Sequence, residues 1–416
     1  MGTLNTLLVV VLLFGTRGFC QYEDYDYDSE YGPERDNDFH SPIQFTHNID
    51  YGVPYVQYST DCARECLCPP TFPMTIYCDH RRLKVIPQIP SRIQQLYLQF
   101  NDIDSVKAKS FINVTVLKEI NLSHNKITSN KIEVGVFAKF PHLVQLYLHH
   151  NQLDEIPSPL PSSAERIFLN FNKITKVKEH DLQGLVNLTM LDLCNNHIEA
   201  IQGKTLARLK NLMQVNICNN NLKSLPATLP PSLMYLSLEN NSISRIPEDY
   251  FTKLQNLIAI RMSHNNLEEV TMKAFNLPNL VELNLGHNKL QNVFYVPRSL
   301  EHLYLQDNEV EILNITVMCP VMDPIYPNRL TYLRVEQNKL KAPISTYAFL
   351  CFPHMQSIYY GEQKQDGGDN PQLRPPMFPQ FPGPDEEEEE DEREAAGEYH
   401  GHWHEEEDND FDDYTY

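Results

Sequence analysis

No apolar run in this 416-residue chain is long enough to cross a bilayer. The stretch "LNTLLVVVLLF" at 4–14 is well short of the roughly 20 residues a membrane-spanning helix needs, and no later stretch approaches about 18. Catalytic signatures are missing too: there is no HExxH pair, no nucleophile elbow and no phosphate-binding loop. The many carboxylates fall where nothing fixes a general acid against a general base, so an enzyme is not expected. Paired CxxC arms are absent, which argues against a structural zinc site. Positive charge is scarce as well. The chain has 34 Lys and Arg against 55 Asp and Glu, a net of −21, and that balance disfavours a nucleic-acid partner.

The first residues read as an export signal. Gly18 and Cys20 are the small residues before a cleavage point at Gln21, so 1–20 is expected to be a signal peptide. No basic side chain precedes the apolar run, and an uncleaved membrane anchor is the alternative. The shortness of the run favours cleavage, giving a secreted chain that is not membrane-inserted. Losing Cys20 leaves eight cysteines in a setting where disulfides persist. Four crowd into "CARECLCPPTFPMTIYC" as Cys62, Cys66, Cys68 and Cys78; Cys319 and Cys351 lie near the far end.

Charge is unevenly spread. Residues 21–51 hold nine acids and one Arg, and residues 385–416 hold seventeen acids and one Arg. With Arg17 set aside, residues 52–384 keep 31 bases and 29 acids, close to neutral. Neither arm has periodic apolar residues, so the arms at 21–61 and 361–416 are expected to be disordered.

Between the arms one pattern recurs, L-x-x-L-x-L-x-x-N-x-L, with Ile, Val or Met allowed at the Leu positions. It reads "IQQLYLQFNDI" at 93–103, "LKEINLSHNKI" at 117–127 and "LVQLYLHHNQL" at 143–153, and closes with "LTYLRVEQNKL" at 330–340. Eleven copies occur in register, with the motif Asn residues at 101, 125, 151, 172, 196, 220, 241, 265, 288, 308 and 338. This is the leucine-rich-repeat signature. Each copy supplies one short strand, and successive strands stack in parallel. The Leu positions point inward, each contributing roughly 1.5–3 kcal/mol of transfer free energy. The Asn is expected inside, satisfying backbone groups where the chain turns. No repeat can bury its own face, so both ends need caps. The expected fold class is an α/β leucine-rich-repeat solenoid, a horseshoe with short parallel strands on its concave face and irregular, 3-10 or polyproline turns on its convex side. Residues 62–91 form a Cys-rich cap, and 92–360 hold the eleven repeats with a partial terminal coil.

The C-x3-C-x-C-x9-C cluster, the alternation of short and long repeats and a lengthened penultimate repeat holding Cys319 together resemble the small leucine-rich proteoglycans. The Tyr-rich acidic N-terminus is similar to the fibromodulin–lumican–keratocan branch, as are "NIDYGVPY" at 48–55 and "CFPHMQSIYYGEQ" at 351–363. The resemblance implies disulfides Cys62–Cys68 and Cys66–Cys78 in the cap, and Cys319–Cys351 closing an extended ear. It also implies collagen binding on the concave face, keratan sulfate on some Asn residues, and pairing of two copies through their concave faces. The long acidic tail resembles that of a bone-matrix member, implying mineralised tissue and cell attachment through an integrin.

Positions between the inward Leu residues are candidates for the ligand face: Tyr97, Gln99, Tyr147, His149, Tyr235, Glu239, Arg261, Glu282, Tyr304, Tyr332, Arg334 and Glu336. A mixed-charge, Tyr-rich curved sheet suits a protein ligand, although any solenoid strand face is polar. Five N-x-[ST] sequons mark glycan acceptors at Asn113, Asn121, Asn187, Asn240 and Asn314. Tyr22, Tyr25, Tyr27, Tyr31, Tyr51, Tyr414 and Tyr416 sit in acidic surroundings that suit sulfation. Cys194 and Cys218 share one register in adjacent repeats, with Cα atoms expected about 5 Å apart. That permits a disulfide, but parallel Cβ vectors strain it, and free thiols are preferred. "HGHWH" (His400, His402, His404) reads as solvated, with no specific metal site and no cofactor expected. "HRRLK" at 80–84 is a small basic patch. The tail, beginning Asp385, Glu386, Glu387, Glu388, Glu389, Glu390, Asp391 and Glu392, offers hard oxygen ligands for diffuse association with Ca²⁺. Hydroxyapatite is the expected partner, with a basic growth factor or a fibril-spacing role as alternatives.

Overall fold

The structure is a computed structural model in which residues 61–364 are described. The signal peptide, the seven candidate sulfotyrosines, the His-rich segment and the acidic tail lie outside those residues. The described part is a parallel-strand solenoid. Thirteen strands, each of three residues, run in strict chain order from Thr75–Tyr77 to Ser357–Tyr359, each paired in parallel with its predecessor. The sheet therefore has two more rungs than the eleven motif copies. The first comes from the cap and the last from the terminal coil, and neither carries the Asn of the motif.

Strand length follows from the motif, since only x-L-x lies between the entry turn and the Asn turn. The central residues, such as Leu96, Ile120 and Leu146, pair rung to rung and are fully buried. The second inward residues (Leu98, Leu122 and Leu148) lie behind them, also with no exposed surface. Towards the convex side, Phe251, Phe275 and Phe294 pack ring against ring at 5.6 and 5.2 Å. That side holds short 3-10 turns such as Phe137–Lys139 and Leu206–Arg208, and a small second sheet pairing Lys176–Val177 with Ala200–Ile201.

The motif Asn residues tie each rung to the one before. Asn265 Oδ1 accepts the Ile243 N–H of the preceding rung at 3.0 Å, while its Nδ2 donates to Leu238 O at 2.9 Å, Met262 O at 3.1 Å and Ser263 O at 3.2 Å. The other motif Asn residues repeat this arrangement, from Asn101, which accepts from Leu83 N–H, to Asn338, which accepts from Val310 N–H. One amide thus pairs groups on two rungs that would otherwise be buried and unbonded.

At the N-terminal end Cys62 bonds Cys68 and Cys66 bonds Cys78. Between them, Leu67 exchanges two backbone hydrogen bonds with Tyr77, at 2.8 and 2.9 Å, in an antiparallel bridge that covers the open edge of the first strand. The remaining cysteines depart from expectation. Cys194 and Cys218, for which free thiols were preferred, form a disulfide. They sit just past their strands with Cα atoms 4.5 Å apart, inside the range a disulfide bridges. Cys319 and Cys351, for which a bond was expected, are unbonded and buried. Each sulfur lies near the other residue's carbonyl, at 3.9 and 3.6 Å, and Asn328 Nδ2 donates to Cys319 Sγ at 3.5 Å. Burial and the neighbouring Cys351 push the Cys319 thiol up to about 12.

Replacing Asn265 by Leu strands one buried N–H and up to three carbonyls. Stability is expected to fall by roughly 3 kcal/mol or more, read as a lower urea midpoint. A change under about 1 kcal/mol would contradict the bridging role.

Candidate functional site: the concave sheet face

The outward strand residues and the residues just after each strand line the concave face. The candidates at 147, 149, 235, 239, 261, 304, 332, 334 and 336 all lie on it and are all half-buried. They fall into three zones.

The N-terminal zone is aromatic. Tyr77 stacks on Tyr97 at 5.1 Å, and Tyr147 stacks on Phe168 at 4.7 Å with nearly parallel planes. Burial, reinforced by Glu119, raises the Tyr97 phenol to about 12. Burial, with His124 and His150 alongside, lowers His149 to about 3. Its protonation therefore opposes folding: the unfolded imidazole takes a proton near 6.5, and this stability is lost as pH falls from there towards 3.

The middle zone is polar. Arg261 makes a two-pronged bond with Glu282, at 2.7 and 3.1 Å. Burial raises the Glu239 carboxyl, while Ser263 Oγ donates to it at 2.8 Å and offsets part of that rise. Asp192 is 4% exposed, and burial lifts its carboxyl to about 6. Its Oδ1 accepts the Cys194 N–H at 3.0 Å, as Asn121 does from Ser123 and Asn284 from Gly286 in equivalent positions.

The C-terminal zone mixes rings and charge. Tyr304, Tyr332 and Tyr359 follow one another at 5.4 and 5.2 Å, Arg334 lies 5.9 Å over the Tyr359 ring, and Arg334 pairs with Glu336 through Nε at 2.6 Å. Glu336 Oε2 and Gln306 Oε1 are buried and accept nothing.

Sequence reasoning missed Tyr77, Phe168, Asp192 and Tyr359, since the first and last belong to rungs without the motif. It also missed an entire row. The residue before each motif Asn has positive φ in all eleven repeats, from 50° at Asn240 to 56° at Phe100 and Gln337. His80, Phe100, His124, His150 and Phe171 stack there face to face, with centroids 4.1 to 4.6 Å apart. Further along the row, Asn240 Nδ2 donates to Asn219 at 2.6 Å and Asn219 Nδ2 to Asn195 at 3.0 Å. The enrichment of His and Asn before the motif Asn was the available signal, because these types tolerate the left-handed region.

Of the sequons, Asn113, Asn187, Asn240 and Asn314 are exposed, and Asn314 caps the short helix Ile315–Met318 by accepting from Thr316 and Val317. Asn121 sits half-buried on the concave face, in register between Tyr97 and Tyr147.

A parallel solenoid with Asn-bridged rungs, a disulfide cap and an elaborated sheet face defines a leucine-rich-repeat protein. The leucine rich repeat family matches residues 91–153, 187–229, 231–290 and 262–310. The chain belongs to the small leucine-rich proteoglycans. It is 54% identical over 383 residues to osteomodulin of Bos taurus, covering 92% of this chain and 91% of the relative, and 53% identical to osteomodulin of Mus musculus, covering 92% and 90%. Keratocan of Homo sapiens is 41% identical over 72% of this chain and 88% of its own. Among solved structures, an internalin of Listeria monocytogenes shares the fold at 21% identity, with a TM-score of 0.53 over 66% of this chain and 75% of that one.

An Asp192→Asn variant keeps the acceptor for Cys194 N–H and removes the buried charge. The raised carboxyl destabilises the fold above its unfolded value of 3.8, with the full penalty reached above about 6. The variant is expected to be more stable by roughly 1–3 kcal/mol at pH 7. Its advantage should shrink between pH 6 and 4, and equal stability at both pH values would contradict the burial account.

Proposed function

We propose that this chain is a secreted, non-enzymatic proteoglycan of a mineralised extracellular matrix. Its acidic tail holds calcium phosphate while the solenoid binds collagen and supports cell attachment through an integrin. The observation that carries this reading is the partition of charge: seventeen acids and one Arg in residues 385–416, beside a near-neutral body. A single carboxylate attracts a cation weakly in water, about 1 kcal/mol at 4 Å, and physiological salt screens charges beyond about 8 Å. Seventeen on one segment act together, each contact raising the effective concentration of the next. Carboxylate oxygens suit Ca²⁺, and a mineral face is already a lattice of calcium, so no folded cage is required.

The concave face supports the collagen part of the proposal. Its half-buried tyrosines, the Arg261–Glu282 and Arg334–Glu336 pairs and the unpaired acceptors at 306 and 336 offer an extended protein ligand both apolar area and hydrogen bonds. All five sequon Asn residues, the half-buried Asn121 among them, are the proposed glycan acceptors, with keratan sulfate on some of them. The tyrosines of the N-terminal arm are proposed as sulfate acceptors, and the integrin role rests on family resemblance.

Adsorption to hydroxyapatite in about 0.15 M salt, comparing the full chain with one ending at Pro384, tests the tail. Binding is expected to collapse in the shorter chain. Equal adsorption of the two would overturn the mineral anchor and favour capture of a basic growth factor.

A further inference from the structure

The concave face has one gap in its aromatic row. In the first five rungs the equivalent outward positions are Tyr77, Tyr97, Asn121, Tyr147 and Phe168, paired in register. Tyr97 already has one ring face against Tyr77, and Tyr147 has one against Phe168. Their remaining faces are directed across the Asn121 rung. Two rung spacings separate them, about 9–10 Å. A flat ring in van der Waals contact with an aromatic face on each side needs about 7–8 Å between those faces.

Asn121 is set up to fill the gap from within. Its Oδ1 accepts from Ser123 N–H at 3.0 Å and Ser123 Oγ at 2.7 Å, which holds the side chain by its oxygen. Its Nδ2 donates no hydrogen bond among the described residues, whereas Asn187 Nδ2 donates to Ser162 O and Asn240 Nδ2 to Asn219 Oδ1. The two flanking rungs each present an unsatisfied group, Gln99 Oε1 on one side and His149 Nδ1 on the other, both buried and without a partner. Buried polar atoms of this kind are uncommon in native folds and mark places where a partner is missing.

We propose that the first sugar of an N-linked glycan on Asn121 is seated in the concave face, its ring between Tyr97 and Tyr147, with its N-acetyl and hydroxyl groups pairing Gln99 and His149 after small rotations of those side chains. This rests on the glycan assignment made above. The linkage forms between Asn121 Nδ2 and C1 of an activated, lipid-diphosphate-linked sugar. The sugar–phosphate bond breaks, the lipid diphosphate leaves, and the amide gives up one proton. A pyranose offers an apolar C–H face to each tyrosine and polar groups at its rim, matching rings above and below and polar atoms to the side. The seated sugar makes the N-terminal zone a closed, structural part of the face. A protein ligand is then confined to the middle and C-terminal zones, from Tyr235 to Tyr359.

The test uses the secreted, glycosylated full chain. Site-resolved mass spectrometry follows enzymatic release of the glycans from the native protein, with exposed Asn113 as internal reference. Release at Asn121 is expected to be at least about tenfold slower than at Asn113, equivalent to about 1.4 kcal/mol of protection. Denaturation should abolish the difference. In a Tyr147→Ser variant, which keeps the sequon, the protection should be lost while circular dichroism remains that of the parent. NMR of the isotope-labelled glycan should show upfield ring-current shifts for the Asn121-linked sugar alone. Equal release rates and unshifted sugar protons on an occupied Asn121 would overturn the seating and leave the glycan assignment intact. An unmodified Asn121 would overturn both.

Discussion

The structure depends on one side-chain amide used once per repeat. Each motif Asn accepts from a backbone N–H of the preceding rung and donates to carbonyls of both rungs, as Asn220 does with Ile198 N–H at 2.9 Å and Leu193 O at 2.9 Å. An amide left unpaired in this dry interior would cost about 1–3 kcal/mol for each group. Pairing all of them in one geometry sets where the chain turns. The turn in turn forces the residue before each Asn into the left-handed region, which costs a non-glycine residue about 1–2 kcal/mol. Ring stacking along that row, at about 0.5–1.5 kcal/mol per pair, offsets part of the strain where the residues are His and Phe.

The candidate binding face inherits its regularity from this constraint. Because successive rungs are in strict register, equivalent positions form rows, and the chemistry of each row changes along the solenoid. Aromatic pairs flank Asn121, the centre holds Asp192, Glu239 and the Arg261–Glu282 pair, and three tyrosines with Arg334 close the C-terminal end. The centre carries buried acid groups whose charge burial disfavours. A solenoid stabilised by its core and its Asn ladder can tolerate such groups on its concave sheet face.

Much of this was legible in the sequence, because a repeat states its own rule many times. The eleven Asn positions, the inward Leu rows and the outward candidates from Tyr97 to Glu336 all follow from period and residue type. What escaped had no repeat to announce it. Thr75–Tyr77 and Ser357–Tyr359 join the sheet without the motif, so Tyr77 and Tyr359 were not counted on the face. The positions of Cys194 and Cys218 were legible, but the parallel Cβ vectors of strand neighbours were assumed for two residues that lie beyond the paired strands, and there the bond forms. The unbonded state of Cys319 and Cys351 is set by local packing of two buried side chains, which their spacing in the sequence does not convey. Phe168 and Asp192 lay in copies that were recognised, but their neighbours across the rungs make them part of the site.

The most direct measurement is residue-resolved hydrogen exchange on the amides that the Asn ladder accepts: Ile103, Ile127, Leu153, Ile174, Ile198, Leu222, Ile243, Leu267, Leu290 and Val310. These should form one contiguous row among the slowest-exchanging amides, opening only with the solenoid itself. If they exchange as fast as the amides of exposed convex turns, the Asn bridges do not hold the rungs together and the account fails at its base.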